Sequence, residues 1–253
     1  LPPALSPPPP LSLPLPNTGT LRVLVTGATG FLGSYVVRRL VQQGAAVTAT
    51  GRDARRGAAL GLRGANRFVA VDLGAGDAAA LGALCAGQHA VVHCAALCKP
   101  WPLGASEAHR RSIVVATQDL LAASVAAGVG RFVHVSTPSL YFSPDFHAPA
   151  EWAQGAWLSG VPEWAALPPA AQQPHAYARA KLLSERDVQR SFLEDGLPTV
   201  TLRPRAIVGV GDTTVLPRLT AKLRARRLPY LAYHQLVDLT FVENVAFAAE
   251  LAL

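Results

Sequence analysis

"RVLVTGATGFLGSYVV", residues 22–37, runs an apolar stretch of strand length into three glycines and then resumes its apolar positions at a helical spacing. A strand that ends at a Gly-rich turn and reopens as a helix gathers backbone N–H groups and a helix N-terminus at one spot, which suits a pyrophosphate. Each glycine has its own reason: Gly27 permits the tight turn, Gly30 lets phosphates approach the backbone, and Gly33 lets the helix pack on the strand. The pattern carries weight because the required strand precedes it and the required helix follows.

Working outward, further apolar runs of strand length follow at "AAVTATG" from 45, "RFVAVDL" from 67, "AVVHCAA" from 90, "RFVHVST" from 131 and "TVTLRPR" from 199. Continuous apolar runs are what a parallel sheet covered on both faces requires. Helical periodicity fills residues 31–43, 109–127 and 176–195, closed by Gly44, by Gly128 or Gly130, and by Gly196. Strand and helix in alternation predict an α/β fold, a Rossmann-type doubly wound parallel sheet.

With 50% hydrophobic and 15% charged residues in 253, the chain has ample material for a core. It has no run of about 18 apolar residues that would span a bilayer; membrane association through segments outside the sequence stays open. The formal charge is +7, but the basic residues are spread, and only "RLTAKLRARRL", residues 218–228, is dense. On a helix those charges fall on several faces, so a solvated surface helix is expected and nucleic acid is not an expected partner. Cys85, Cys94 and Cys98 lack metal-ligand spacing and fit an intracellular, reducing compartment, with Cys94 read as a small hydrophobe in a buried strand. No metal is expected. Residues 1–19, without Met at the start, read as a Pro-rich linker or tail. The stretch 142–175, with Trp152, Trp157 and Trp164, breaks the alternation and is expected to be a partly helical flap.

The spacing T-G-x-x-G-x-x-G from Thr26 to Gly33, with "VDL", "HCAAL", "VHVSTPSLY", "YARAK", "LRPRAIVGVGD" and "VDLTFVENVA" following in order, resembles the extended branch of the short-chain dehydrogenase/reductase superfamily. "STPSLYF", "GDTTVLPRL" and "RLPYL…VDLTFVENVA" are especially similar to its 3β-hydroxysteroid dehydrogenase/isomerase-like subgroup. The resemblance implies a Rossmann domain over residues 20–205 that binds NAD(H) or NADP(H), and a small substrate domain that starts at 206 and continues past 253. It adds Thr29, Phe31, Leu32, Asp72, Leu73, Ala95, Ala96, Lys181 and Pro204 to the three glycines as cofactor contacts. It implies Tyr177, Lys181 and Thr137 as the catalytic set, and hydride exchange between a hydroxyl and a ketone on a bulky apolar, sterol-like or lipid substrate. A homodimer is a further expectation. Two departures stand out: Ile113 where the family usually has Asn, and "YLAYHQ" in place of a Gly-rich turn after "RLP".

Tyr177 and Lys181, four apart on a predicted helix, share a face. A phenol with an ordinary pKa near 10 needs a nearby cation to act as a base at neutral pH, and Lys181 is placed to supply one. The hydroxyl beside them is Thr137, with Ser136 and Ser139 close enough to compete for the role. Cofactor choice turns on the end of the second strand, where an acid would bind a ribose 2′-OH; Gly51 and then Arg52 stand there, favouring NADP(H) over NAD(H), while Asp53 and Arg56 blur the assignment. Sugar-nucleotide epimerase or dehydratase, and a non-catalytic NAD(P)- or RNA-binding member of the superfamily, are the alternatives.

Overall fold

The computed structural model describes residues 19–64, 66–98, 106–141, 165–173, 175–227 and 239–253. Most of the Pro-rich tail, most of the Trp-bearing flap and the "YLAYHQ" departure lie outside the described residues. The chain forms β1 (Arg22–Thr26), α1 (Phe31–Gln42), β2 (Ala46–Gly51), α2 (Ala54–Ala58), β3 (Arg67–Ala70), α3 (Ala78–Cys85) and β4 (Ala90–His93). Next come α4 (Ser106–His109), a π-helical stretch Arg110–Val115, α5 (Ala116–Ala126), β5 (Arg131–Val135), α6 (Ala176–Asp195) and β6 (Thr199–Leu202). A short pair, β7 (Ile207–Val208) and β8 (Thr240–Phe241), flanks α7 (Val215–Arg224), and α8 (Val242–Leu251) follows.

The sheet has the order β3-β2-β1-β4-β5-β6 with every pairing parallel. Its order reverses between β1 and β4, and the crevice at that reversal is where an open α/β sheet binds ligands. The strands are largely apolar because both faces are covered. Val23, Val25, Val47 and Val92 pack with Val36, Val37 and Leu40 of α1 and with Ala246 and Ala249 of α8. From the opposite face, Leu24, Val91 and Phe132 meet Leu81 and Leu84 of α3, Leu120 of α5 and Val188 of α6.

Local signals explain the ends of these elements. Gly196 adopts φ +70° to close α6, and Asp53, Asp77 and Asp72 cap α2, α3 and a 3₁₀ turn over Leu73–Ala75. An ion pair between Arg39 and Glu250, with the Arg39 guanidinium 4.4 Å above the Phe247 ring, fastens α8 to α1. The dense basic stretch falls largely on α7, which is solvent-exposed and also leaves Leu216, Leu219 and Leu223 partly bare. Cys94 falls just beyond β4 rather than within it. Among the described residues no helix is long and apolar enough to cross a membrane.

Candidate active site

At the reversal point the glycine loop does three jobs. Gly27 takes φ +65°, and a side chain there would lie 2.8 Å from the Ala95 backbone. A Cβ on Gly33 would fall 2.2 Å from the Gly27 carbonyl oxygen, so the third glycine is needed chiefly for the loop to fold over the first turn of α1. Gly30 is the exposed N-cap of α1 and no side chain caps that end, so the first helical N–H groups face a potential anion.

Two cavities open from this loop. The first, about 400 Å³, is lined by Gly27, Thr29, Gly30, Arg52, Asp72, Leu73, Ala95 and Ala96, together with Arg56 and Arg111. Asp53 does not line it: its carboxylate accepts from the Arg55 and Arg56 backbone N–H groups at 2.9 and 3.2 Å as the cap of α2. Arg56 donates to the Thr29 carbonyl at 2.7 Å, and Arg111 to the Gly74 carbonyl at 3.2 Å. Gly51 is also demanded by packing, since a Cβ there would come within 3.0 Å of Thr29 Oγ1. Asp72 accepts from the Gly74 N–H at 3.1 Å at the cavity's edge.

The second cavity, about 340 Å³, shares Gly27, Gly30, Cys94 and Ala96 with the first and adds Phe31, Leu32, Gly33, Cys98, Ser136, Thr137, Tyr177, Lys181 and Pro204. Every residue expected at the site thus lines one cavity or the other. Tyr177 lies in the first turn of α6 and lines this cavity beside Thr137 and Cys98, both of which act on its proton affinity. Thr137 donates to Ser139 Oγ at 3.0 Å and accepts from the Ser139 N–H at 3.2 Å, a turn that fixes its hydroxyl beside Tyr177. Ser136 Oγ is buried without a hydrogen-bond partner. Lys181 is 2% exposed and donates to the Val135 carbonyl at 2.7 Å.

Burial dominates the electrostatics here. It pushes the Tyr177 phenol well above its ordinary value, aided by Cys98 and opposed by the Thr137 hydrogen bond. It also lowers Lys181, against the pull of Cys98, Cys94 and Glu185. The expected cationic lowering of the phenol is therefore outweighed in this state, and the phenol is a neutral proton donor at physiological pH. Ile113, on the π-helical stretch, is fully buried with Val114 and Ala180, with Tyr177 packed against them. An apolar wall thus stands where the family's Asn would bring water to the lysine.

Beneath the site, His93 and His134 pair across β4 and β5 with rings stacked 5.6 Å apart. His93 bridges Thr26 Oγ1 at 2.7 Å and Thr117 Oγ1 at 3.1 Å, tying the end of β1 to α5. Burial holds its imidazole down at about 3, and His134 well below the usual range. His93 and His134 fall inside "HCAAL" and "VHVSTPSLY" without a role being read for them, and no motif pointed to Arg111 or Cys98. Among the described residues no group of three His, Cys, Asp or Glu could hold a metal ion.

Residues 23–253 match the signature of the NAD dependent epimerase/dehydratase family. The chain belongs to that family. Its relatives include the 2-alkyl-3-oxoalkanoate reductase of Stenotrophomonas maltophilia, 34% identical over 92% of this chain and 65% of that protein. The 3 beta-hydroxysteroid dehydrogenase/Delta 5-->4-isomerase of Mycobacterium tuberculosis is 32% identical over 78% of this chain and 50% of that one. The chain spans at most 65% of the length of these two relatives. Among solved structures, the Bordetella bronchiseptica enzyme WbmH in complex with NAD+ shares the fold, with a TM-score of 0.73 at 23% identity over 92% of this chain and 72% of that chain. Members of this family of NAD(P)-dependent enzymes use the doubly wound sheet seen here, and this chain's glycine loop fits such a dinucleotide: both cavities open from it, and no side chain caps the N-terminus of α1 at Gly30.

Proposed function

We propose that the protein reduces a ketone on a bulky apolar substrate, or oxidises the corresponding alcohol, with NADP(H) as cofactor. The observation that carries this reading is that Tyr177, Thr137 and Lys181 line one cavity whose described lining contains no carboxylate. Removal of water from a sugar nucleotide would call for an acid and base of the carboxylate kind, whereas ketone reduction needs one proton donor and one oxygen-polarising hydroxyl.

When bound, the nicotinamide supplies the hydride. The neutral Tyr177 phenol gives its proton to the carbonyl oxygen, and Thr137 donates a hydrogen bond to that same oxygen as charge builds on it. Lys181, anchored to Val135, keeps a positive charge near the phenolate that proton transfer leaves behind. Gly27, Gly30 and the α1 N-terminus would hold the pyrophosphate, and Arg52, exposed just past the end of β2, would pair with a ribose 2′-phosphate. Asp72 and Leu73 would flank the adenine, and Pro204 the nicotinamide.

The apolar lining and the two relatives named above direct the substrate reading to 2-alkyl-3-oxoalkanoates and 3-ketosteroids. The test is carbonyl-dependent oxidation of NADPH by the protein with a 2-alkyl-3-oxoalkanoate, a 3-ketosteroid and UDP-glucose in parallel. Turnover with either of the first two supports the reading; conversion of UDP-glucose alone overturns it.

A further inference from the structure

The dense basic stretch has no part in the site described above. Its helix, α7, buries none of its residues, and its first turn is held by the Asp212 carboxylate, which accepts from the Thr214, Val215 and Leu216 N–H groups at 2.7, 3.1 and 2.7 Å. Leu216, Leu219 and Leu223 recur at i, i+3 and i+7, so they form one stripe, and they are 39, 40 and 54% exposed. Lys222 and Arg224 lie about 100° round the helix on either side of that stripe, with Arg218 beyond Lys222. Arg226 and Arg227 follow directly, and no Asp or Glu occurs between Asp212 and Asp238. Among the described residues none of these five cations takes part in an ion pair.

We propose that α7 is a docking surface for an anionic lipid bilayer, lying in the plane of the headgroups with its leucines at the acyl boundary. Charge complementarity chooses this occupant. An apolar stripe flanked on both sides by cations fits the headgroup plane, because the long stems of Lys222 and Arg224 let their charges reach lipid phosphates and carboxylates while the leucines go deeper. Two copies of the chain meeting at α7 would set five cations against five. A nucleic acid, held through its phosphates, would leave the leucines in water. Thr213, Thr214 and Val215, at the root of the helix, line the second cavity. Docking would therefore bring that cavity beside the bilayer, the phase in which the bulky apolar ketone of the proposed function dissolves.

The docking needs neither cofactor nor turnover, so its test is separate from that of the reductase reading. The protein is sedimented with sucrose-loaded vesicles of phosphatidylcholine alone and of phosphatidylcholine mixed with phosphatidylserine, at low and at high salt. Binding is expected to the mixed vesicles, weaker at high salt, and not to phosphatidylcholine alone. Lys222→Gln and Arg224→Gln should each weaken it about fivefold, and Leu219→Asp or Leu223→Asp about tenfold or more. Arg63→Gln and Leu193→Asp, which lie on other elements, should leave it within about twofold. All six positions are exposed, so each variant should melt with the wild type. Wild-type protein left in the supernatant by the mixed vesicles overturns the proposal, as does equal binding to both kinds of vesicle or a loss no larger for the α7 variants than for the two controls. A dimer in lipid-free solution that Leu219→Asp separates also overturns it, because it assigns the leucine stripe to a second copy.

Discussion

The two cavities meet at Gly27, Gly30, Cys94 and Ala96, yet the first is ringed by exposed charged side chains and the second holds its ionisable pair, Tyr177 and Lys181, largely buried. Arg52, Arg56, Arg111 and Asp72 ring the first, three of them with a hydrogen bond already made to a backbone carbonyl or N–H and all at a solvent-facing rim. In the second, Tyr177 and Lys181 are shielded until burial governs both of their proton affinities. The difference follows from what covers each strand end. Arg52 and Asp72, just past β2 and β3, are exposed, and a guanidinium there keeps its water; past β4 and β5, α6 and the π-helical stretch pack over Ala96 and anchor Lys181 to Val135. On the proposed function, binding of an anionic ligand and proton transfer would thus fall to different halves of one crevice.

The sharpest way to break this division is at the buried end. Tyr177→Phe should leave cofactor affinity intact and lower turnover by about 10²- to 10⁴-fold, the usual worth of a positioned proton donor. Lys181→Met should lose a similar factor, and the double variant should be little worse than either single one because the two act as a unit. Steady-state rates beside calorimetric affinities would check this. Losses that multiply, or a large fall in affinity, would mean that the two residues serve binding as the first cavity does.

The burial beneath the second cavity has a consequence for stability. His93 is held at about 3 against an ordinary 6.5, and His134 is also lowered, so both are neutral in the folded protein and take up protons on unfolding. The unfolded chain binds more protons between those values; stability is therefore full above about pH 6.5 and falls as pH drops, by ~1.4 kcal/mol per pH unit for each histidine. Urea denaturation at stepped pH measures the slope. A flat profile from about pH 7 to 5 would mean that the histidines are not sealed off.

The smallest effect is expected at the charged end. Arg52→Ala should weaken NADPH about tenfold relative to NADH, since one exposed charged contact is lost. Equilibrium titration with both cofactors decides it, and an unchanged ratio would shift the 2′-phosphate to Arg56 or Arg111.

Legibility in the sequence divides along the same line. The strands, the glycine loop and the Tyr177–Lys181 spacing could be read because each depends on local rules: apolar runs, missing side chains, a helical repeat. Gly196 closed its helix at the expected residue for the same reason. The helix expected over 109–127 begins instead at Ser106 and passes through a π-helical stretch that buries Ile113 and Val114 against Ala180, a tertiary contact that a local repeat does not reveal. The short helices α2 and α3 carry too few turns to show a period. The role of the His93–His134 pair was invisible for another reason: it rests on a contact between strands far apart in the chain.

The central claim is hydride transfer to a substrate ketone in the second cavity, and isotope transfer tests it most directly. The protein is incubated with NADPH carrying deuterium at the transferable position and a 2-alkyl-3-oxoalkanoate, and the product is read by mass spectrometry. The account predicts an alcohol bearing one deuterium on its carbinol carbon, formed in step with NADP+. Ketone recovered unchanged while UDP-glucose is epimerised with no net cofactor oxidation would contradict it.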